Sequence, residues 1–363
     1  MLLHVDATGA VQGGAGIVTY VLGLVKGWRD AGFDDEWILE GTSDLSEGIA
    51  DRLGDMGKVH LTGSSGPLAR IAVQQTVLPL RMLRCRPDVL LCTTPVVPRV
   101  TLGIPVVAVV HDLRHIFRPE DFSSSQNWYR RQSWESGLRR SARLIADSDR
   151  TRDDLRSHYP FTSPKTRTIY LGSDHVPETK PGTENGHGIA FARWANKRPD
   201  FAIRSWAALK NLQPGLNRRL HVVGVGAGDE PRITSLAREL GIADLVVVQP
   251  FLAEADYWQL FASAGVVLFP SSFEGFGLPV LEAMRLRVPV VTWRDPAVVE
   301  VAGDCAWYSN LTPEEFGNQV AAALDDSPGT RLRVERAFDR ATLWTWRKTA
   351  ENTREVLVEA RQG

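Results

Sequence analysis

Cysteine is scarce in this sequence, and the usual signals of secretion and membrane insertion are missing. Its 363 residues include 3 cysteines, Cys85, Cys92 and Cys305, without any C-x-x-C spacing. This count excludes a disulfide framework and gives no indication of a zinc site. No run of about 18 apolar residues occurs, and residues 1–6 lack the basic region and apolar core of a signal peptide. The sequence therefore predicts a cytoplasmic protein.

An overall excess of one charge is also absent. Lys and Arg number 42 against 43 Asp and Glu, a formal net charge of -1, which gives no reason to expect nucleic-acid binding. The charge is nevertheless uneven, because residues 67–167 carry 17 Lys and Arg against 9 Asp and Glu. Two interpretations stay open for this stretch. Either it makes a peripheral contact with the inner face of a membrane, or its arginines only solvate helix faces.

Apolar runs typical of buried strands alternate with longer segments of helical period, which indicates parallel sheets covered by helices, an α/β fold. The first series of strands covers residues 2–5, 89–92, 106–110, 144–146 and 168–170, and the second covers 189–192, 220–225, 245–248, 266–269 and 288–292. Between them, residues 175–188 are rich in Pro, Gly, Glu and Thr, as linkers are. The sequence predicts one domain at 1–178, completed by a C-terminal helix at 343–363, and another at 186–342.

The most informative window is residues 269–284, which follows one predicted strand and precedes another. Pro279 suits the first turn of a helix. The residues leading into that helix, Gly275, Phe276, Gly277 and Leu278, then form a loop at a helix N-terminus. Such a terminus favours anions, and glycine allows a diphosphate to approach the backbone.

Two carboxylates, Glu274 and Glu282, flank this loop, in the region above the strand ends where open α/β sheets bind ligands. Because phosphate repels carboxylates, hydroxyl groups of a sugar or a ribose are their more sensible partners. The alternative is that Glu282 only complements a helix dipole and Glu274 only lies at the surface.

Several segments resemble family 4 of the retaining glycosyltransferases. The stretch from Phe273 to Met284 is similar to the family's Glu-x7-Glu signature, and the similarity extends over residues 264–292. The other similar segments are residues 13–16, 111–113, 118–123, 147–155, 169–174, 192–197 and 241–252. Within the family, residues 111–113 and 118–123 look most like bacterial mannosyltransferases of polysaccharide assembly.

This resemblance implies a GT-B fold, in which two Rossmann-like parallel-sheet domains face an interdomain cleft. It implies that the acceptor binds mostly to the N-terminal domain and the donor to the C-terminal one. The donor-binding residues that it implies are Gly13, Gly14, Arg193, Lys197, Phe251, Leu252, Glu274, Gly275, Phe276, Gly277, Leu278 and Glu282. It also implies that some residues contact the transferred sugar or its diphosphate and so take part in catalysis. These are His111, Glu274, Arg193 and Lys197.

More specifically, the resemblance implies that Glu274 binds the hydroxyls of the donor sugar and that Glu282 binds the ribose. Two departures from the family pattern affect the diphosphate clamp. Ala192 replaces the usual glycine before Arg193, and Lys197 follows one residue closer than is typical. Arg198 is therefore an alternative to Lys197. His111 has an alternative too, as a buried histidine with satisfied hydrogen bonds.

The resemblance predicts a retaining transferase that moves a hexose from a nucleoside-diphosphate sugar to a glycan, a lipid-linked or a small-molecule acceptor. GDP-mannose is the first choice of donor and a UDP-hexose the second. No cofactor and no metal is expected, because no Asp-x-Asp or His/Asp cluster is placed to hold a divalent ion. A sugar-nucleotide epimerase and a noncatalytic nucleotide-sugar-binding subunit remain alternatives. A dehydrogenase is disfavoured, since Asp229 stands where the dinucleotide fingerprint needs glycine.

Overall fold

The computed structural model describes residues 1–10, 15–42, 45–62, 66–178, 186–310 and 312–363. Gly13 and Gly14, which the resemblance places in the donor site, lie outside the described residues. The chain divides into two compact units. The first comprises Met1–Gly172 and Trp344–Gly363, and the second is Ser173–Leu343. Residues 173–178, which the sequence assigns to the first domain, therefore group with the second unit.

A seven-stranded parallel sheet forms the centre of the first unit, in the order β3-β2-β1-β4-β5-β6-β7. Its strands are β1 (Leu2–Asp6), β2 (Glu36–Thr42), β3 (Gly57–Thr62), β4 (Val89–Cys92), β5 (Val106–Val110), β6 (Arg143–Ala146) and β7 (Thr166–Thr168). Its helices are α1 (Ala15–Asp30), α2 (Ser46–Leu53), α3 (Pro67–Ala72), α4 (Leu78–Cys85), α5 (Arg114–Phe117), α6 (Ser124–Arg140), α7 (Asp149–His158) and, from the end of the chain, α15 (Trp346–Gln362). A π-helical turn, Val73–Val77, joins α3 to α4.

The second unit is built on a six-stranded parallel sheet in the order β10-β9-β8-β11-β12-β13. Its strands are β8 (His187–Phe191), β9 (Leu220–Val223), β10 (Val246–Gln249), β11 (Ala264–Phe269), β12 (Val290–Thr292) and β13 (Trp307–Tyr308). Its helices are α8 (Pro199–Leu212), α9 (Glu230–Glu239), α10 (Glu254–Ala262), α11 (Leu278–Arg285), α12 (Pro296–Ala302), α13 (Pro313–Ala323) and α14 (Pro328–Thr342). The predicted α/β class with two Rossmann-like parallel-sheet domains is confirmed.

Hydroxyl side chains fix where several helices begin. Ser123 accepts a hydrogen bond from the Gln126 N–H, and the Gln126 side chain accepts one from the Ser123 N–H, which makes a capping box at α6. At the starts of α7 and α15, the Ser148 hydroxyl accepts the Thr151 N–H and the Thr345 hydroxyl accepts the Lys348 N–H. Each cap satisfies a backbone donor that has no partner within the helix and stabilises it by about 1 kcal/mol.

Three strands were not predicted, β2, β3 and β13. In β2 the apolar pattern is interrupted by Glu40, whose side chain is fully buried between His4, 3.1 Å away, and Arg81. The third, β13, has only two residues. The last strand of the first sheet covers Thr166–Thr168 rather than 168–170, so that prediction was displaced along the chain.

The C-terminal helix α15 packs on α1 within the first unit. Trp346 is fully buried, and a β-carbon added to Gly27 would lie 2.0 Å from the Trp346 carbonyl oxygen. Only glycine permits so close an approach of the two helices. The buried face of the helix begins at Trp346, whereas Trp344 lies before the helix with its ring 4.6 Å from that of Tyr170. Among the described helices, none has both the length and the apolar character that crossing a bilayer requires.

Candidate functional site

The loop between β11 and α11 is shaped as the sequence indicates. Gly277 has a φ of 98°, a left-handed conformation that favours glycine. It precedes Leu278, the first helical residue, and Pro279 lies in the first turn. Leu278 therefore belongs to the helix rather than to the loop, and Glu282 lies beyond the first turn of that helix. The backbone N–H groups at the start of α11 are directed to the carboxyl end of the sheet.

Glu274, in this loop, forms an ion pair with Lys197. The Lys197 ammonium lies 2.6 Å from Glu274 Oε1, and the two side chains are only 12% and 11% exposed. Lys197 comes from the short 3-10 turn Ala195–Lys197 after β8, the strand next to β11. The ends of two neighbouring parallel strands thus bring together residues that are far apart in sequence.

Two further side chains hold Glu274 in place. The Asn196 amide donates to Glu274 Oε1 at 3.3 Å and to the Phe273 carbonyl at 2.9 Å. The Ser271 hydroxyl also donates to Oε1. Three donors therefore converge on one carboxylate oxygen, whereas no residue in the described ranges donates to Oε2. A carboxylate fixed in this manner can accept hydrogen bonds from ligand hydroxyls without reorienting.

Asp295 also supports the loop between β11 and α11. Its Oδ2 accepts the Glu274 N–H at 3.3 Å, and its Oδ1 accepts the N–H groups of Ala297 and Val298 at 2.9 and 3.4 Å. Asp295 is therefore the N-cap of α12 and also fixes the backbone of Glu274. The position of the Glu274 carboxylate is thus tied to a second helix.

Glu282 is almost fully buried, and both of its oxygens have partners. His175 Nε2 lies 3.1 Å from Oε1, and the Tyr257 hydroxyl donates to Oε2 at 3.2 Å. Burial, the charge of Glu282 and this hydrogen bond raise the pKa of Tyr257 well above its usual value. Glu282 is thus held by a tyrosine of α10 and by a histidine at the start of the second unit. A ribose hydroxyl would share the carboxylate with these two partners.

Arg193 follows β8 and lies at the surface between two exposed aromatic rings. Its guanidinium is 5.6 Å from the Trp194 ring centre and 5.3 Å from that of Phe251. Leu252, next to Phe251, is half-buried just beyond β10. A cavity of about 510 Å³ opens beside Arg193, and the other residues lining it include Trp194 and Arg198. Neither Glu274 nor Glu282 is among its lining residues.

Arg198 is positioned differently from Lys197. Its guanidinium lies 4.4 Å from the Trp293 ring centre and 5.0 Å from that of Phe201, so it packs on the aromatic core of the second unit. Lys197, in contrast, contacts Glu274 directly. This geometry favours Lys197 over Arg198 as the second cation of the proposed clamp.

His111 follows β5 in the first unit, and each of its ring nitrogens lies within hydrogen-bond distance of an acceptor oxygen. Nδ1 lies 2.5 Å from Asp147 Oδ2, and Nε2 lies 2.9 Å from the Thr93 carbonyl oxygen. Burial opposes a charged ring, but the Asp147 charge and these hydrogen bonds outweigh it and raise the pKa of His111. His111 is thus held as a hydrogen-bond donor on both sides, a poor arrangement for a general base.

The sequence did not single out Asn196, Ser271, His175, Tyr257 and Asp295, which position the two glutamates. Asp147 lies in a segment with family similarity, but nothing in the pattern linked it to His111. Within the described ranges, no three His, Cys, Asp or Glu side chains come together as a metal site needs.

Comparison with known proteins agrees with this architecture. Residues 14–176 match the model of Glycosyltransferase Family 4, and residues 191–339 match that of Glycosyl transferases group 1. The chain is 29% identical over 283 residues to a D-inositol 3-phosphate glycosyltransferase of Saccharomonospora viridis. That alignment covers 71% of this chain and 65% of the relative, so the chain spans less than two thirds of the relative's length.

A second relative is an MMP alpha-(1->4)-mannosyltransferase of Mycolicibacterium hassiacum, 27% identical over 71% of this chain and 66% of the relative. Among solved structures, Anabaena HepE in complex with UDP-glucose superimposes with a TM-score of 0.76 at 18% identity, covering 99% of this chain and 100% of that one. The fold is that of the GT-B class. The two model matches together support a glycosyltransferase of the family 4 type.

Proposed function

We propose that this protein is a retaining glycosyltransferase that moves a hexose from a nucleoside-diphosphate sugar to an acceptor. The observation that carries the proposal is the geometry of Glu274. One of its oxygens is fixed by Lys197, Asn196 and Ser271, and the other has no hydrogen bond from the described residues. Such a carboxylate suits the hydroxyls of a donor sugar.

The reaction breaks the bond between the anomeric carbon and the diphosphate. Positive charge then develops on the sugar ring and negative charge on the leaving phosphate. The Glu274 carboxylate would bind the sugar through its hydroxyls. Arg193, Lys197 and the N-terminus of α11 would stabilise the leaving diphosphate, and one well-placed donor contributes about 3 kcal/mol to such stabilisation.

We further propose that no metal takes part and that configuration is retained by a front-face route, in which the leaving phosphate accepts the proton of the acceptor hydroxyl. No protein nucleophile is therefore assigned. Lys197 has three donors, so it can keep its bond to Glu274 and still reach a phosphate oxygen. Arg193 offers a planar pair of donors that suits a diphosphate.

The donor is proposed to be GDP-mannose or a UDP-hexose. A mannosyltransferase among the relatives supports the first, and the UDP-glucose complex of the fold neighbour supports the second. Trp194 and Phe251 offer exposed rings for a nucleobase to stack on.

A thermal-shift panel with GDP, UDP, TDP and ADP tests this proposal. A nucleotide at about 100 times its Kd stabilises the protein by about 2.7 kcal/mol, whereas the others leave the melting temperature unchanged. The nucleoside-diphosphate sugar of the best nucleotide is then incubated with candidate acceptors, and release of the diphosphate is measured. Absence of stabilisation by all four nucleotides would refute the proposal.

A further inference from the structure

The hydrogen bonds to Glu282 are distributed differently from those to Glu274. The three donors to Glu274 all reach the same oxygen, Oε1. On Glu282, in contrast, each oxygen has one partner, because His175 Nε2 lies 3.1 Å from Oε1 and the Tyr257 hydroxyl donates to Oε2 at 3.2 Å. Among the described residues, no other side chain bonds to this carboxylate. The two glutamates therefore offer different sets of acceptors to a ligand.

The acceptor positions that remain on Glu282 suit a vicinal diol. A carboxylate has about four lone-pair positions, two on each oxygen. His175 and Tyr257 take one position on each oxygen, so one position on each oxygen is left for a ligand. The Glu282 side chain is 7% exposed, so water competes little for these positions. Two hydroxyls on neighbouring carbons, such as the 2′ and 3′ hydroxyls of a ribose, can each donate to one oxygen.

Tyr257 is fixed by its helix and by neighbouring rings. It lies near the start of α10, where its N–H donates to the Ala253 carbonyl at 2.9 Å. Its ring centre is 4.9 Å from that of Trp258 and 5.5 Å from that of Phe261, both in edge-on contact. Burial, and then the charge of Glu282, raise the pKa of Tyr257 well above its usual value. The hydroxyl therefore keeps its proton and remains a donor to the carboxylate.

His175 approaches Glu282 from a different part of the chain, near the start of the second unit. Its ring lies edge-on to that of Trp258 with 5.8 Å between ring centres, so it packs on the same helix as Tyr257. Glu282 itself belongs to α11. A glutamate side chain has several rotatable bonds, and donors that are fixed in two other segments hold its carboxylate in one orientation.

We propose that Tyr257 and His175 are positioning residues, which hold Glu282 so that it binds the 2′ and 3′ hydroxyls of a ribose, one on each oxygen, and thereby disfavour 2′-deoxyribonucleotides. This assignment rests on the proposed function, which supplies the nucleoside-diphosphate sugar. A ligand that lacks one hydroxyl leaves a buried acceptor without its second donor, and such a mismatch costs affinity. The donor class is thereby narrowed to sugar nucleotides that contain ribose, and sugars carried by deoxythymidine diphosphate are poor donors.

The test is calorimetric titration of the full chain with UDP, GDP and their 2′-deoxy forms. For the nucleotide that the wild type binds, the 2′-deoxy form should have a Kd at least about tenfold higher. Tyr257→Phe removes only the hydroxyl, so both Kd values should rise. Their ratio should fall to about threefold, because a carboxylate that is free to rotate gains less from the second ribose hydroxyl.

His175 is tested with two variants. His175→Leu should lower the ratio of the two Kd values as Tyr257→Phe does. His175→Gln, whose amide can donate to Oε1, should keep part of the discrimination. Tyr308→Phe is the matched control, because the Tyr308 hydroxyl donates to the Gly303 carbonyl at 2.6 Å and not to Glu282. It should leave the ratio at the wild-type value.

The ratio separates positioning from a role in stability alone, since a loss of stability would weaken binding of both forms by the same factor. A wild-type ratio in folded Tyr257→Phe and His175→Leu overturns the proposal, as does a wild type that binds both forms equally. If no nucleoside diphosphate binds, the proposed function is refuted and this assignment with it. Nucleotide binding and transfer with an unchanged ratio refute this assignment alone.

Discussion

Replacement of Glu274 by glutamine tests the two proposed roles of this side chain, which are pairing with Lys197 and binding the sugar hydroxyls. The amide keeps an oxygen that Asn196 and Ser271 can reach, but it removes the charge opposite Lys197 and the charged acceptor for sugar hydroxyls. A hydrogen bond to a charged group contributes about 1.5 to 3 kcal/mol. Since 1.36 kcal/mol corresponds to a factor of ten, kcat/KM should fall between about tenfold and about a hundredfold.

The stability effect follows from the same geometry. Lys197 is 12% exposed and would lose its charged partner 2.6 Å away, so we expect a loss of about 1 to 2 kcal/mol. For a domain of this size, that lowers Tm by about 2 to 8 °C. Adding Lys197→Met should restore stability, because the unpaired buried charge is removed, but it should not restore turnover.

Release of nucleoside diphosphate from the donor gives the rate, and scanning fluorimetry gives Tm. Glu314→Gln, an exposed glutamate on α13 of the same unit, serves as the control and should change neither quantity. Near-normal turnover of Glu274→Gln would refute the role of Glu274 as the sugar-binding carboxylate. Recovery of turnover in the double variant would show that only folding had been affected.

Three further predictions concern the cations, metal and pH. Lys197→Ala should weaken nucleoside-diphosphate binding about tenfold, whereas Arg198→Ala, which removes a guanidinium that packs on the Trp293 and Phe201 rings, should bind normally by calorimetry. Transfer should survive EDTA, and loss of activity that magnesium or manganese restores would contradict the cation clamp. Burial and then the charge of Arg130 lower the pKa of His115 from 6.5 to about 4. The unfolded chain thus binds a proton more readily, so Tm should fall as pH drops from about 6.5 to about 4, and His115→Leu should flatten this dependence.

The fold could be predicted from sequence wherever a strand is buried on both faces. The strands β4, β5 and β11 are continuous apolar runs and were recognised as such. The second strand was not, because Glu40 is buried only by virtue of His4 and Arg81, which come from other elements. No pattern within residues 36–42 reveals those partners.

The candidate site was predictable to the extent that its residues are local. The window of residues 269–284 contains Glu274, the glycine loop and the start of α11, so its spacing was informative. The partners of the glutamates were not predictable, because Asn196, His175 and Tyr257 come from separate elements and single residues of these types carry no pattern.

The packing of Trp346 against Gly27 has a consequence for synthesis of the protein. During translation, α1 and its sheet leave the ribosome first, but α15 follows only after the whole of Ser173–Leu343. Until then, the surface of α1 that receives Trp346 is uncovered and apolar. The first unit is therefore the first to be started and the last to be completed. A fragment ending at Gly172 would expose this surface to chaperones and to other copies of itself.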